Sequence, residues 1–458
     1  MLGYGIGYIG QGSTYNFMAA YFVVFLTNCV GLDSAMAGSI TSVALLVEVV
    51  AGMIVGNLSD NCTSSMGKRR PFVLAAALTM PLIMVLIMRT VDGSETMRFT
   101  YYLVLSIGFR LSFSTFEIPN NAFGAEIAAG YDERTWLRTM SRVFSIIGNT
   151  LGYVMPLWIL ELFPGRQRAG WQTIGVIIAG VAFCSWFSSF KLTKKRAVVG
   201  AKRERRSNVI RDIFVNYFEL CKLRSMRLLI VYKAAFACAF ALFNIGTIYY
   251  LKYSLALGNR YSSYMYVLSI IVFIVMTPIA GKMALSFGKA NQQMITMAVS
   301  AVIGFAVFFF APQSVIGAAL YVIGFSIMQT SFWQLSSSIF YDVVEVDEYA
   351  NCKRREGDIM SLISVLGTLI TAVIVQFFGV LLDRSGFDPK LAVQPDDVVH
   401  FLNAAYILLP SICFVIGLVA LKVFPINKRT FGSLLRALER RKAGKDYAEY
   451  LQDIEKMI

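Results

Sequence analysis

Residues 36–58 read MAGSITSVALLVEVVAGMIVGNL, an apolar run that contains one charged side chain, Glu48. A helix of about 20 apolar residues crosses the roughly 30 Å hydrocarbon core of a bilayer, so this run predicts a membrane-spanning helix. The basic segment Gly67-Lys-Arg-Arg-Pro71 follows shortly after it. Because basic residues concentrate in cytoplasmic loops, the run is predicted to leave the membrane on the cytoplasmic side.

Similar runs recur along the whole chain. Hydrophobic residues make up 57% of the 458 residues and charged residues only 15%, which would leave a soluble protein with far too much apolar surface. We place twelve spans near residues 4–29, 36–58, 71–90, 99–127, 142–163, 170–190, 227–255, 262–286, 290–311, 313–340, 358–383 and 399–424. The pattern predicts an all-α membrane protein with twelve transmembrane helices in two pseudo-symmetric six-helix bundles.

The spans divide the chain into domains. We expect an N-terminal bundle over 1–190, a basic cytoplasmic connector over 191–226, a C-terminal bundle over 227–425 and a charged cytoplasmic tail over 426–458. Part of the connector, residues 211–218, could form an amphipathic helix on the inner leaflet, although a plain tether is the favoured interpretation. Apolar residues at helical spacing in the tail predict a helix packed under the bundle.

The net charge of +14 lies largely in the loops after the even-numbered spans. This distribution predicts a multi-pass protein of the cell membrane with both termini in the cytoplasm. It argues against nucleic acid as a partner, and we expect membrane lipids and a small solute instead. The lone His400 and seven cysteines without a C-x-x-C pair give no catalytic or metal-binding pattern. We therefore expect a protein that is not an enzyme and has no cofactor beyond a coupling ion, H⁺ or Na⁺.

Six short motifs occur in order along nearly the whole chain. They are Tyr4-Gly-Ile-Gly7; Thr27-Asn-Cys-Val-Gly-Leu32; Ser59-Asp60 with Gly67-Lys-Arg-Arg-Pro71; Glu117-Ile-Pro119; Arg134 with Arg142; and Asp342 to Glu348-Tyr349 with Arg354-Arg-Glu-Gly357. Together they resemble the glycoside-pentoside-hexuronide:cation symporters, the melibiose-carrier branch of the major facilitator superfamily. The resemblance implies the major facilitator fold, alternating access, and uptake of a sugar or glycoside driven by sodium, lithium or protons.

The chain departs from the melibiose-type carriers where they bind ions and galactosides. Gly12 and Gly52 stand where those carriers have acidic residues, Asn121 where they have an aromatic residue, and Thr368 where they have a lysine. The two-carboxylate sodium site is therefore incomplete. Since a single desolvated carboxyl group suits a proton better than sodium, we predict proton coupling in preference to sodium coupling.

Ionisable residues inside apolar spans are costly and are functional candidates by default. Glu48 matches the first acid of the family's cation site, and we predict that it couples the cation, together with Ser114 of span 4. The alternative is a structural role for Glu48 as the partner of a cationic side chain such as Lys233 or Arg110.

Polar residues of span 4 share one helix face, because Arg110, Ser114, Glu117 and Asn121 recur at helical spacing. We predict that Glu117 and Asn121 bind substrate, as does Arg142, which matches a family arginine that contacts substrate. Further candidate contacts, for which plain helix packing is the alternative, are Asn16, Gln329 and Trp333.

Charged residues in the predicted cytoplasmic loops are candidates for a gate. They could form ion pairs between the two halves in one conformational state, whereas a solvated charged loop is the alternative. The predicted gate residues are Asp60, Arg69, Arg70, Arg134, Asp342, Glu348 and Arg354.

These observations predict a monomeric, cation-coupled symporter of a sugar or glycoside that works by alternating access. Two alternatives stay open at this point. One is a transporter of a non-sugar or lipid-like solute, and the other is a non-transporting membrane sensor or scaffold.

Overall fold

The computed structural model describes residues 2–127, 131–193, 209–352, 355–389, 391, 393–442, 446, 448–455 and 457. These residues are almost entirely helical and contain no β-strand, so the predicted all-α fold is confirmed. In chain order, helices α1 to α17 are Leu2–Phe25, Ser34–Asp60, Arg70–Ile87, Glu95–Ile127, Tyr131–Tyr153, Met155–Leu162, Gln167–Leu192, Val209–Leu220, Arg224–Tyr249, Asn259–Phe287, Lys289–Phe310, Val315–Asn351, Glu356–Arg384, Asp396–Asn403, Leu409–Lys422, Lys428–Lys442 and Leu451–Glu455.

Ten helical segments in the described part of the chain are long and apolar enough to cross a membrane. Each of them, from Ser34–Ser59 to Asp396–Lys422, falls on one of the predicted spans. The other two predicted spans coincide with α1 and α4. Both are helical but less apolar, because α1 is rich in glycine and α4 carries Arg110 and Glu117. The chain is a multi-pass membrane protein, and the count of twelve crossings stays a prediction.

The chain forms two compact units. Unit 1 comprises Met1–Glu204, Asn244–Val267 and Thr371–Leu402; unit 2 comprises Arg205–Phe243, Leu268–Ile370 and Asn403–Ile458. The boundaries cut through α9, α10 and α13, so one end of each of these helices belongs to unit 1. The division by sequence into bundles over 1–190 and 227–425 stays a prediction.

Helix α1 packs closely against α5 and α7 in unit 1. Its glycines make this approach possible: a Cβ atom on Gly5 would lie 2.7 Å from the Phe144 ring, and one on Gly10 would lie 2.7 Å from Trp186 Nε1. Small residues allow membrane helices to come close enough for van der Waals contact and interhelical hydrogen bonds. The α1 glycines therefore allow the close packing of α1 against α5 and α7 at these contacts.

The ends of α9 and α1 are hydrogen-bonded within unit 1. The Thr27 hydroxyl lies 2.8 Å from the Tyr249 hydroxyl, and Tyr253 donates a hydrogen bond of 3.0 Å to Asn28 Oδ1. These contacts join the first span to the seventh near the end of unit 1 that carries Gly31. A cavity of about 240 Å³ lies at this end, and the residues around it include Tyr21, Asn28, Trp171 and Lys252.

Unit 2 has a mixed aromatic and polar core around α11 and α12. The rings of Phe236 and Phe332 stack with their centroids 3.5 Å apart. The buried side chains of Gln292 and Gln293 both donate hydrogen bonds to Ser331, at 2.9 and 2.6 Å. These hydrogen bonds from side-chain amides fix the position of α11 along α12, which apolar packing alone would not determine.

The connector helix α8 is docked on unit 2. Asn216 donates a hydrogen bond of 2.8 Å to Asp358, and the Tyr217 hydroxyl lies 2.6 Å from that of Ser361. On the same helix Phe218 is 70% exposed. The connector therefore contains a helix that is fixed to α13 by hydrogen bonds, while its role as a tether stays a prediction.

The tail also packs on unit 2. Helix α16 contacts α12 and buries Leu434 and Leu438, which confirms the predicted packed helix. Near the end of the chain, Met457 is buried and its carbonyl accepts a hydrogen bond of 3.1 Å from the Ser225 amide. The tail thus contacts the start of α9.

Arg355 lies between α12 and α13 and links the connector helix α8 to α12. Its Nε and Nη2 atoms donate to the two carboxylate oxygens of Asp347 at 2.9 and 2.6 Å, and Nη1 donates to Glu219 at 2.6 Å. The hydrogen bonds that Arg355 donates to Asp347, and then the one that it donates to Glu219, raise the pKa of the Arg355 guanidinium above its usual value. Asp347 is fully buried, so it depends on Arg355 for its counter-charge.

We expect Arg355→Gln to lower the free energy of unfolding by about 3–5 kcal/mol, because it leaves the buried Asp347 carboxylate without a cation. Equilibrium unfolding in mixed detergent micelles would measure the loss. The control is Arg168→Gln, which breaks an exposed pair with Asp92 and should cost no more than about 1 kcal/mol. The double variant Arg355→Gln/Asp347→Asn should recover part of the loss. Equal losses for Arg355→Gln and the control would contradict the prediction.

Candidate functional site

An ion pair joins α2 to α4 inside the membrane-spanning part of unit 1. Arg110 Nη1 lies 2.9 Å from Glu48 Oε2, and the two side chains are only 7% and 16% exposed. A charged residue at a bilayer centre costs about 2.5–3.5 kcal/mol on insertion scales, so charges there are expected to be paired. The sequence offered Lys233 and Arg110 as partners for Glu48, and the structure pairs Glu48 with Arg110.

The position one helical turn after Glu48 supplies no second ligand. A Cβ atom on Gly52 would lie 3.2 Å from Ile118 Cδ1, so this position faces an apolar side chain of α4. Ser114, the other predicted coupling residue, is buried in α4. Among the residues that the structure describes, no group of three His, Cys, Asp or Glu side chains could hold a metal ion.

Polar side chains of α1 and α4 meet along a seam next to this ion pair. We call this set, Tyr8, Gln11, Tyr15, Arg110, Glu117 and Asn121, the α1–α4 seam. Tyr8 donates a hydrogen bond of 2.9 Å to Asn121 Oδ1, and Gln11 Nε2 donates one of 3.0 Å to Glu117 Oε1. The Arg110 guanidinium lies 6.0 Å from the centre of the Tyr15 ring. Successive contacts involve increasing residue numbers on α1 and decreasing residue numbers on α4, so the two helices run antiparallel here.

The seam retains unused hydrogen-bonding capacity. Gln11 Oε1 is buried and has no hydrogen-bond partner among the described residues. Glu117 accepts one bond from Gln11 and has four lone-pair sites in all when ionised. Asn121 is exposed. A ligand rich in hydroxyl groups could donate to these oxygens, and the structure brings the predicted pair Glu117 and Asn121 to one face of α4.

Two other predicted contacts of unit 1 lie on α1 and α5. Asn16 donates hydrogen bonds to Asn149 Oδ1 at 2.7 Å and to the Gly12 carbonyl at 2.9 Å. Its amide group therefore holds α1 to α5, as the packing alternative expected. Arg142 is exposed on α5.

Gln329 and Trp333 lie one turn apart on α12 in unit 2 and so share a helix face. Trp333 is 45% exposed and meets the rings of Phe236 and Phe240 edge to face. Lys233 lies beside the same indole, with its ammonium 5.5 Å from the ring centre. The structure places these two predicted residues in unit 2 and the α1–α4 seam in unit 1.

Three of the predicted gate residues, Arg69, Arg70 and Asp342, contact residues of their own unit. Arg69 donates to Ser59 at 2.7 Å, and Arg70 donates to the Phe190 carbonyl at 2.7 Å. Asp342 pairs with Lys289 at 2.9 Å. The side chains of Asp60 and Arg134, and the whole of Arg354, lie outside the described residues.

One expectation about the gate is wrong in detail. Asp342 and Glu348 were expected in a loop after a span ending near residue 340, but α12 continues to Asn351. The segment Tyr341–Asn351 contains no proline or glycine to end the helix, so the hydrogen-bonded turns continue beyond the apolar part.

Sequence reasoning did not single out Tyr8 and Tyr15 as site residues. Their signal is the spacing Tyr4, Tyr8, Gln11 and Tyr15, which places four side chains on one face of α1. Lys289 is not among the predicted site residues, and its pairing with Asp342 became visible only in three dimensions.

Comparison with known proteins agrees with this architecture. The uncharacterized symporter YnaJ of Bacillus subtilis (strain 168) is 23% identical to this chain, over 99% of this chain and 96% of that protein. The isoprimeverose transporter of Lactiplantibacillus pentosus is 21% identical, over 91% of this chain and 86% of its own length.

A crystal structure of a D-xylose-proton symporter superposes with a TM-score of 0.65, covering 92% of this chain and 96% of that one at 14% identity. At this level of identity the likeness shows the fold, and it confirms the predicted major facilitator fold. The family described as "MFS/sugar transport protein" matches residues 3–428 of the chain. Both the predicted resemblance and the expectation of a transporter instead of an enzyme are confirmed by this match. The chain belongs to the MFS/sugar transport protein family.

Proposed function

We propose that this protein carries a sugar or glycoside across the cell membrane together with a proton, by alternating access. This proposal is supported by the names of two relatives, an isoprimeverose transporter and a putative glycoside/cation symporter. The choice of a proton over sodium rests on one observation, the 2.9 Å ion pair between Arg110 and Glu48.

Sodium is disfavoured because the Glu48 carboxylate lacks the neighbours that the ion needs. Hard cations are held by several oxygen atoms at once, whereas the position of Gly52 faces Ile118. The guanidinium of Arg110 already occupies the space beside the carboxylate. Two positive charges 4 Å apart would repel each other by about 4 kcal/mol at an effective dielectric constant of about 20.

A proton needs one oxygen atom only. Protonation of Glu48 removes its charge and releases Arg110, whose guanidinium has the rings of Phe109 at 5.6 Å and Tyr15 at 6.0 Å. Aromatic faces stabilise a cation that has lost its counter-ion. The proton and Arg110 therefore compete for Glu48, and each outcome has a distinct arrangement of side chains.

The α1–α4 seam is the proposed substrate site of unit 1. Glu117 and Gln11 Oε1 would accept hydrogen bonds from sugar hydroxyls, and Asn121 can both donate and accept. Tyr15 contacts Arg110 and lies on the same face of α1 as Gln11. Movement of Arg110 away from Glu48 would therefore shift side chains that neighbour the proposed substrate contacts. We retain Arg142, Gln329 and Trp333 as further candidate contacts and assign Asn16 to helix packing.

The predicted orientation places the Gly31 end of unit 1 outside the cell. The hydrogen bonds of Thr27 with Tyr249 and of Asn28 with Tyr253 would then lie at the outer end of unit 1. Arg69, Arg70 and Asp342 would face the cytoplasm, where we keep them as candidate gate residues.

The first functional prediction concerns the coupling ion. A thermal-shift panel of monosaccharides and methyl glycosides would identify a ligand, and uptake of that ligand into proteoliposomes would then be measured. We expect an inward proton gradient to drive accumulation, and replacement of Na⁺ by K⁺ at constant pH to change the rate less than about twofold, because no second oxygen ligand accompanies Glu48. Uptake that vanishes without Na⁺ would refute proton coupling.

The second functional prediction concerns Glu48. Glu48→Gln removes the group that takes up the proton, so accumulation against a gradient should be lost while downhill exchange of the same ligand persists. Equal loss of every transport mode in Glu48→Gln would indicate a structural role only.

The third functional prediction concerns Glu117. Glu117→Gln keeps the side-chain volume but removes the charge, so affinity for the ligand should fall by about 1.5–3 kcal/mol, or ten- to hundredfold. Equilibrium binding on purified protein would measure this change. Asp92→Asn, which alters an exposed acid of unit 1, serves as the control and should bind normally. Normal binding by Glu117→Gln would place the substrate elsewhere.

A further inference from the structure

The connector helix α8 carries apolar side chains on two opposite faces. Tyr217 and Leu220 are buried, whereas Val215 is 50% and Phe218 70% exposed. Val215 and Phe218 are three residues apart, so they are neighbours on one face of the helix. A helix with its outer face in water is expected to carry polar side chains there. The outer face of α8 is therefore one that a further apolar surface would cover.

Three basic side chains follow this apolar face in the chain. Lys222, in the short connection to α9, places its ammonium 5.3 Å from the centre of the Phe218 ring. Arg224 and Arg227 belong to the first turn of α9, and all three basic residues are exposed. Their side chains form no salt bridge or hydrogen bond with the described residues. We call the exposed apolar and basic residues of this region the α8–α9 surface: Val215, Phe218, Lys222, Arg224 and Arg227.

The acidic side chains on and against α8 are engaged by other residues of unit 2. Glu219 accepts a hydrogen bond of 2.6 Å from Arg355, and Asp358 of α13 accepts one of 2.8 Å from Asn216. These two carboxylates therefore have partners of their own and form no ion pair with the cations of the α8–α9 surface. The surface combines exposed apolar side chains with net positive charge, which is complementary to an anion that has an apolar part.

The α8–α9 surface lies where a membrane span begins. Helix α9 is part of the segment Arg224–Ser254, which is long and apolar enough to cross a membrane. Val231, which is 42% exposed, follows Arg224 and Arg227 at helical spacing. One face of α9 thus passes from two guanidinium groups to an apolar side chain. A phospholipid has the same order, because its phosphate lies at the membrane surface and its acyl chains extend toward the bilayer centre.

We propose that the α8–α9 surface binds an anionic phospholipid of the cytoplasmic leaflet. The phosphate would accept hydrogen bonds from Arg224 and Arg227, since the planar guanidinium group matches the oxygen atoms of a phosphate. Lys222 would add a third positive charge. Val215 and Phe218 would lie among the upper acyl carbons, as the apolar face of an interfacial helix does. The lipid would thereby hold α8 to the bilayer on one side while hydrogen bonds hold it to α13 on the other.

The variant Phe218→Trp tests whether lipid covers this surface, because phospholipids brominated on their acyl chains quench indole fluorescence on contact. The full chain would be placed in phosphatidylcholine nanodiscs that contain a small fraction of brominated phosphatidylglycerol or, in the matched sample, the same fraction of brominated phosphatidylcholine. Quenching of the five tryptophans of the wild type would be subtracted. We expect the added indole to be quenched about twofold or more as strongly by the brominated phosphatidylglycerol, since the cations enrich anionic lipid beside it.

The double variant Arg224→Gln/Arg227→Gln, made together with Phe218→Trp, should lose this preference, so that both brominated lipids quench equally. The matched control is Lys282→Gln/Arg436→Gln, which removes the same number of charges from exposed residues of unit 2 on α10 and α16. The control should keep the preference for phosphatidylglycerol. The comparison of the two lipids on Phe218→Trp alone needs no arginine variant, so it tests the surface even where the double variant does not fold.

Three outcomes would overturn the inference. Absence of quenching by either lipid would mean that α8 faces water or a soluble acidic partner. Equal quenching by both lipids in Phe218→Trp would mean that α8 lies on the bilayer without selecting anionic lipid. A preference that persists in Arg224→Gln/Arg227→Gln would place the anionic lipid at other cations. None of these outcomes bears on the proposed sugar transport, which the uptake and binding measurements test separately.

Discussion

The pairing of Glu48 with Arg110 is the interaction on which the organisation of unit 1 depends. Either charge alone would cost about 2.5–3.5 kcal/mol at the bilayer centre, and removal of one partner from a buried pair is more costly still. The pair therefore fixes the rotation of α4 relative to α2. Arg110 faces Glu48, and Glu117 lies seven residues later, two helical turns along the same side of α4. This rotation of α4 brings Glu117 to Gln11 of α1.

The close approach of α1 to its neighbours completes this arrangement. Its glycines lie against α5 and α7, where a side chain as small as alanine would meet Phe144 or Trp186. The opposite requirement holds on the face toward α4, where long side chains such as Tyr8 and Gln11 reach across to make hydrogen bonds. Packing on one side and polar contact on the other thus account for the unusual composition of this span.

The sequence predicted the fold well and the site only in part. Apolar length located the ten described helical segments that are long and apolar enough to cross a membrane, because hydropathy is a local property that repeats along the chain. The partner of Glu48 is different: Arg110 and Lys233 were equally eligible, since the choice depends on the rotation of three helices about their axes. The same limit hid the pairing of Asp342 with Lys289 and the extension of α12 beyond its apolar part, where hydropathy no longer indicates the helix.

The distinction between sodium and a proton follows from coordination more than from charge. Adding either ion to the Glu48–Arg110 pair raises the net charge of the site by one, so the net charge alone does not distinguish the two ions, although only sodium places a second cation beside Arg110. Sodium, however, must exchange its water for several oxygen ligands, and near Glu48 the Gly52 position supplies none. A proton forms a covalent bond with one carboxylate oxygen and leaves the added charge on Arg110. That guanidinium is delocalised and lies near two aromatic rings, which makes it the better carrier of an unpaired charge in a site of low dielectric constant.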